Sequence, residues 1–338
     1  MCLSAGRANA VTNGIRIAKA PPWAAYITTV SHLYFTQVGE TSCTGAVVAP
    51  QWILTAAHCV TTETSSGSQR PIRPSKFEVV LGRDQLSKTL LSGAQWSADR
   101  AYAYPGWNGD PVSGDVGLIH VRHAFRSSAR PLALAPAGAF LTPRTDLRAY
   151  GYGLIQEYWS KHALRIQDPS QYSGVDADFL YQTVRDSYRY SPNCSNALQW
   201  CVLNVGESTI RNGDSGGPWM SRSVPNAILG LSSEGIVTEV TSKTFIFGQL
   251  NLSRVTAPKL HDWIQRTAGI VRAVPGTLFM ELGGHKAWFV DRYAVAHLVS
   301  PSAIPCQKQY AVRVESIDAF RAAELPQATG EIGCRKSL

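Results

Sequence analysis

The chain has 338 residues, 44% of them hydrophobic and 17% charged, and a net charge of +8 at pH 7. That length and ordinary globular make-up suggest about two domains, and no apolar run is long enough to span a bilayer. The basic residues are scattered, with no basic helix and no platform of interleaved aromatics, so the charge reads as a solvated surface and nucleic acid is not an expected partner.

Residues 1–10 show neither periodicity nor the apolar stretch of a secretory leader, so either a leader has been removed or the start lies late. The first clear element is "CTGAVVAPQWILTAAHC", Cys43 to Cys59. It reads as an apolar strand, a Pro-Gln turn, a second apolar strand and a small-residue stretch ending in His58. Cys43 and Cys59 lie a hairpin's length apart, a spacing that staples two strands and fixes the imidazole beside them. Thr61 to Ser75 follows as a polar, turn-rich surface loop.

In "SGDVGLIHV", Asp115 follows Gly114 and precedes a short apolar run. An aspartate at the mouth of a buried strand is costly unless it is hydrogen-bonded, and a histidine ring would satisfy it. His120 and His123 fall on the same strand but on opposite faces, which argues against a metal site; no catalytic metal and no cofactor is expected. Ile155 to Gln182 is long and aromatic, with Tyr158, Trp159 and Tyr172 either gripping substrate or packing over the fold.

"IRNGDSGGPWM", Ile210 to Met220, sets Gly213, Gly216, Gly217 and Pro218 around Ser215, in a stretch without helical or strand periodicity. Such a loop can turn sharply enough to aim two backbone N–H groups at one spot, the arrangement that stabilises a developing oxyanion. A serine hydroxyl becomes a nucleophile only when a base takes its proton and a third group orients that base. His58 and Asp115 are the candidates. Past this loop, short apolar runs divided by Gly, Pro and Ser make the chain all-β, with helices expected only near Ala257 to Ala268 and Ser316 to Ala323.

"TAAHC", "DVGLI" and "GDSGGP", in that order, with about 57 and then 100 residues between His58, Asp115 and Ser215, resemble the trypsin and chymotrypsin family of serine proteases. Lesser matches at Pro21–Ile27, Val79–Leu86, Arg148–Gly153, Leu229–Gly235 and Leu260–Ile264 extend the resemblance from about Val11 to Ile264. It implies two six-stranded antiparallel barrels with a closing C-terminal helix and the site between the barrels. It also implies a secreted endopeptidase acting on polypeptides through an acyl-enzyme, with Ser215 as nucleophile, His58 as general base and then acid, and Asp115 as the orienting carboxylate. The N–H groups of Gly213 and Ser215 would form the oxyanion hole. The alternative from another class is a catalytically silent binding protein on the same fold.

The resemblance further implies a zymogen. A cut after Ala10 would free the Val11 amine to pair with buried Asp214 and order the oxyanion loop, leaving residues 1–10 as a propeptide remnant and 11–268 as the protease domain. No Arg or Lys immediately precedes Val11, a departure from the usual activation site. The substrate pocket falls at Thr209, with Ser208 and Ile210 beside it, where trypsin-like enzymes place an aspartate; Glu207 is the nearest acid. Ser233 resembles the residue whose backbone pairs with substrate, Glu234 shapes the rim, and Gly235 and Gly248 leave the walls open to an uncharged side chain. Arg211 occupies one position of the family's pocket disulfide, which is missing here.

Residues 275–338 read as a small, mainly β module resembling repeats that follow hydrolase domains in secreted actinobacterial proteins, with contact to cell wall or polysaccharide as one role and plain stabilisation as the other. The seven cysteines form local pairs, Cys43 with Cys59, Cys194 with Cys201 and Cys306 with Cys334, as in an oxidising compartment. Cys2 is left over, as a free thiol, an intermolecular link or a lipidated start.

Overall fold

The computed structural model describes residues 15–16, 19–29, 42–82, 85–86, 95–125, 129–142, 147–152, 179–180, 182–183, 188–191, 195–204, 210, 213–221, 226–240 and 245–335. Val11, Thr209, Cys194 and nearly all of the Ile155–Gln182 insertion lie outside them.

The first half is a closed barrel of six antiparallel strands, in the order Gly117–Val121, Trp52–Thr55, Ser42–Ala49, Ala24–Thr29, Phe77–Leu81 and Gln95–Ala103. The Ser42–Ala49 strand is buried at every position after Ser42, so its side chains meet the barrel interior on one face and neighbouring chain on the other. Ile27, Ile53, Leu54, Leu118 and Ile119 are fully enclosed, and each such side chain contributes about 1.5–3 kcal/mol by leaving water. Closure removes the exposed strand edges that would otherwise invite pairing with another chain.

Register inside this barrel brings the two ends of the site together. Gly117 pairs with Thr55 and His120 with Trp52 in antiparallel fashion. The segment entering one strand, with Asp115, therefore lies beside the segment leaving the other, with His58. Gly117 is needed for this approach, because a Cβ there would fall 2.6 Å from Ala56 O.

The six-stranded barrel expected of the second half is only partly evident. Among the described residues this half is an eight-stranded sheet, ordered Ile15–Arg16, Gln182–Thr183, Leu147–Gly151, Pro218–Ser221, Gly230–Val240, Phe245–Arg254, Gln199–Asn204 and Tyr188–Ser191. Two short strands, Ile15–Arg16 and Gln182–Thr183, extend one edge. Trp200, Trp219, Leu250 and Leu252 fill its core. Helix α1, Pro258–Ala268, starts with Pro in its first turn and ends on Gly269 at φ 63°, the left-handed conformation that favours glycine. It turns Leu260, Ile264 and Ala268 onto the first core.

The C-terminal region forms a five-stranded mixed sheet in the order Arg313–Ile317, Thr277–Glu281, Ala287–Val290, Ala296–Val299 and Gln327–Ile332. Two sequence expectations need correction here. Ser316 and Ile317 are strand, parallel to Thr277–Glu281, and the helix is confined to α3, Ala319–Ala322, because Asp318 caps it by accepting from Arg321 N at 2.8 Å. Ile304–Tyr310, where no helix was expected, is helix α2 with Pro in its first turn. The Thr61–Ser75 loop also gains structure, as Thr61–Glu63 pairs with Gln69–Pro71.

The cysteine pairs follow the sequence reading where they are described. Cys43–Cys59 and Cys306–Cys334 are disulfides with Cα–Cα distances of 6.2 and 5.8 Å. Cys201 is disulfide-bonded as well, and Cys194, its expected partner, lies outside the described residues.

Candidate active site

His58 stands in the turn that follows the Trp52–Thr55 strand, where Cys59 N donates to Ala56 O and Val60 N to Ala57 O. The Cys43–Cys59 disulfide ties that turn to the neighbouring strand. The two sulfurs and the imidazole lie within 4.8 Å of one another. Both sulfurs are committed to the disulfide, so only the ring nitrogens of this trio are available for chemistry.

Asp115 lies at the other end of the pairing, after Gly114, which takes φ 98° to close a short Pro111–Ser113 helical turn. Its side chain is 1% exposed and accepts three hydrogen bonds: from His58 N at 2.8 Å, from His58 Nδ1 at 2.7 Å and from Ser233 Oγ at 2.6 Å. Ser253 Oγ adds one to its backbone carbonyl at 2.7 Å. Burial alone would push this carboxyl up, but the imidazole and the Ser233 and His58 donors outweigh it and hold it below the ordinary aspartate range. For His58, burial pulls downward, while the charge and hydrogen bond of Asp115, with a smaller push from Glu234, leave the imidazole above its ordinary value. With Nδ1–H donated to Asp115, the neutral ring keeps its Nε2 lone pair for an incoming proton.

Ser233 reaches Asp115 by way of a register irregularity. Ser232 pairs with Leu252 and Glu234 with Asn251, so Ser233 is an extra residue in the strand. A bulge re-aims the side chain it carries. Ser233 was expected to pair through its backbone with substrate; the hydroxyl contact with Asp115 is additional.

Ser215 sits in a turn knit to both halves of the fold. Ser215 O accepts from Thr44 N of the barrel at 2.8 Å, and Gly216 N donates to Ser232 O of the second sheet at 2.8 Å. Gly216, at φ 76°, passes so close to the barrel that a Cβ would meet Thr44 O and Ala56 N at 2.6 Å. Gly213 has φ 99°. Among the described residues, neither Gly213 N nor Ser215 N donates a hydrogen bond. No hydrogen bond joins Ser215 Oγ to His58 among the described residues; such contacts often tighten only once substrate is bound. Asp214 is 1% exposed, and its carboxylate packs against Gly151.

A cavity of about 460 Å³ opens beside His58, lined among others by Asp115, Ser233, Glu234, Glu63 and Trp107. Gly235 is exposed on the same strand as Ser233, and Gly248 lies on the partner strand Phe245–Arg254. Val11 and Thr209 fall outside the described residues, so of the expected residues the fold brings together His58, Asp115, Ser215, Gly213, Asp214, Ser233 and Gly235. Thr44, Ser253, Glu63 and Trp107 escaped the sequence reading. A signal existed for Thr44, since a hydroxyl inside an otherwise apolar strand must find a partner.

The trypsin family profile matches residues 18–254, and the chain belongs to that family. Ovochymase from Halocynthia roretzi is 26% identical over 277 residues, covering 74% of this chain and 16% of that relative, so the chain spans about a sixth of its length. Among solved structures, an inactivated protease paralogue of the scabies mite is 16% identical with a TM-score of 0.51, over 76% of this chain and 98% of that one. Human heparin binding protein is 20% identical with a TM-score of 0.51, over 75% and 94%. These two likenesses concern the fold.

Proposed function

We propose that this trypsin-family chain is a serine endopeptidase. The observation that carries the reading is the buried Asp115 carboxylate fixing His58 at 2.7 Å, with a serine turn whose Gly213 and Ser215 N–H groups make no hydrogen bond among the described residues. In the reaction, Ser215 Oγ attacks the peptide carbonyl carbon while His58 Nε2 takes its proton. The negative oxygen settles on Gly213 N and Ser215 N. The imidazolium, stabilised by Asp115, then hands that proton to the leaving amine as the C–N bond breaks, and water hydrolyses the acyl-serine by the same route.

The cut-site residue is proposed to be uncharged, with Thr209 at the pocket floor and Gly235 and Gly248 on its walls. Residues 11–268 form the protease domain, activated when the Val11 amine meets Asp214, and residues 1–10 are the remnant removed. Disulfides point to an oxidising, extracellular setting, and no helix among the described residues is long and apolar enough to cross a membrane. The module at 275–338 is assigned a stabilising role. Phe320 packs on the first core, Arg321 Nη2 donates to Gly269 O at the end of α1, and Glu324 accepts from Val271 N at 2.7 Å.

The second reading is a silent binding protein, favoured by the missing Ser215–His58 hydrogen bond among the described residues. Covalent labelling by a fluorophosphonate, read by intact mass, separates the two. One adduct at Ser215, in the chain as given or in a version starting at Val11, supports the enzyme; no adduct in either supports the binder. Labelling only in the shorter version adds the zymogen step.

A further inference from the structure

Thr44 lies fully buried in the Ser42–Ala49 barrel strand, one residue after the stapled Cys43. Four hydrogen bonds meet on it. Its hydroxyl donates to Gly213 O at 2.8 Å and accepts from Tyr152 N at 2.8 Å. Its backbone N donates to Ser215 O at 2.8 Å, and its backbone O accepts from Thr55 Oγ1 at 2.8 Å. Tyr152 N can only donate, so it takes an acceptor site on the hydroxyl and the single hydroxyl proton is committed to Gly213 O.

The consequence concerns the turn that carries the serine. The carbonyls at both ends of Gly213–Ser215 are tied to one residue of the opposite half, one through its side chain and one through its main chain. Gly213 is otherwise the joint most able to swing, since glycine reaches both signs of φ at little cost. A peptide is planar, so fixing the Gly213 carbonyl fixes the whole Gly213–Asp214 unit. The turn is then held with Gly213 at φ 99°, where its own N–H and that of Ser215 make no hydrogen bond among the described residues. Tyr152, on the other side of the hydroxyl, follows Gly151, against which the Asp214 carboxylate packs. One hydroxyl therefore links the frame around Asp214 to the peptide on which the donors depend.

We propose that the Thr44 hydroxyl is a positioning residue that holds the Gly213 and Ser215 N–H groups in place for the substrate oxygen; this rests on the endopeptidase reading above. Preorganised donors matter most in the transition state, so their loss lowers kcat more than it raises KM. The test compares wild-type protein with Thr44→Val, which keeps the shape and removes both hydroxyl bonds, and Thr44→Ser, which keeps them.

Expected are a fall in kcat of about tenfold or more in the valine variant with KM changed less than about threefold, and recovery to within about threefold of wild type in the serine variant. A peptide boronate that engages the donors weakens in step with kcat/KM, while a cleavage-product peptide does not. Wild-type kcat in Thr44→Val, or Thr44→Ser as slow as Thr44→Val, overturns the assignment.

Hydrogen exchange over Gly213–Gly217 is measured alongside. Should wild-type protein neither hydrolyse peptides nor take the fluorophosphonate, the endopeptidase reading fails, and exchange judges the clamp alone. Exchange about tenfold faster in Thr44→Val supports a hydroxyl-held turn, and an unchanged rate overturns it. If the valine variant does not fold, Thr44→Ala is put through the same measurements with the same outcomes.

Discussion

His58 and Ser215 are held by different means. The histidine side is rigid through its side chains, with a disulfide next door and a buried carboxylate that accepts from both the backbone N–H and the ring of the same residue. The serine side is held through its backbone, by bonds to Ser215 O, Gly213 O and Gly216 N, while its hydroxyl makes no hydrogen bond among the described residues. On the endopeptidase reading, one half of the fold positions the base and the other the two amides. The two should therefore break differently. Ser215→Ala is expected to abolish peptide hydrolysis with the melting temperature nearly unchanged. His58→Ala is expected to abolish hydrolysis as well, but to destabilise the protein by about 1–3 kcal/mol, because Asp115 stays buried with a donor missing. Equal melting curves for the two variants would refute the contrast.

Asp115 joins the two means, since it accepts from His58 on one side and Ser233 on the other. Asp115→Asn keeps the volume but presents an amide to a ring nitrogen that needs an acceptor. The expected loss in kcat is on the order of 10⁴-fold, a magnitude taken from the same substitution in this family's reference enzymes. Stopped assays at saturating substrate measure it. Next in size is the staple: Cys43→Ser with Cys59→Ser opens a loop with a sequence separation of 16 and should cost about 3 kcal/mol in a denaturant titration.

The same contrast explains what was legible in the sequence. The barrel half could be read because apolar runs, a Pro-Gln turn and a cysteine pair each report on local pairing. The serine turn could be read because glycines mark tight backbone. Hydrogen bonds between residues far apart were not legible. Thr44 to Gly213 spans 169 positions and Ser253 to Asp115 spans 138, and no periodicity encodes which distant carbonyl a hydroxyl will meet. The Ser316–Ala323 expectation failed for a related reason: parallel pairing with Thr277–Glu281 outweighed the local preference of the first two residues. The short helix Ile304–Tyr310 was not expected, although Pro in the first turn of a helix is a favoured start.

Away from the cleft, the packing of α1 gives a smaller, pH-dependent effect. Burial lowers the His261 imidazole to about 4. The unfolded chain takes up that proton near 6.5 and the folded chain only near 4, so between these values the unfolded state binds more protons and stability falls as pH falls. The full loss, reached near pH 4, is about 3 kcal/mol at most. In His261→Leu the decline in melting temperature between pH 7 and pH 4.5 should be shallower than in wild-type protein, and an identical slope would show that other groups set it.

The smallest expected effect lies at the cleft rim and tests the histidine side by charge alone. Glu234 helps to raise His58 and lines the same cavity, without being one of its hydrogen-bond partners. A base must be neutral to accept a proton, so hydrolysis is lost as pH falls through the raised His58 value. Glu234→Gln removes the charge and keeps the shape, and the acid limb of kcat/KM against pH should move to lower pH while its plateau holds. An unmoved limb would mean that Asp115 alone sets the imidazole. A move to higher pH would contradict the sign of the interaction, since removing a negative charge beside an imidazolium can only make that proton easier to lose.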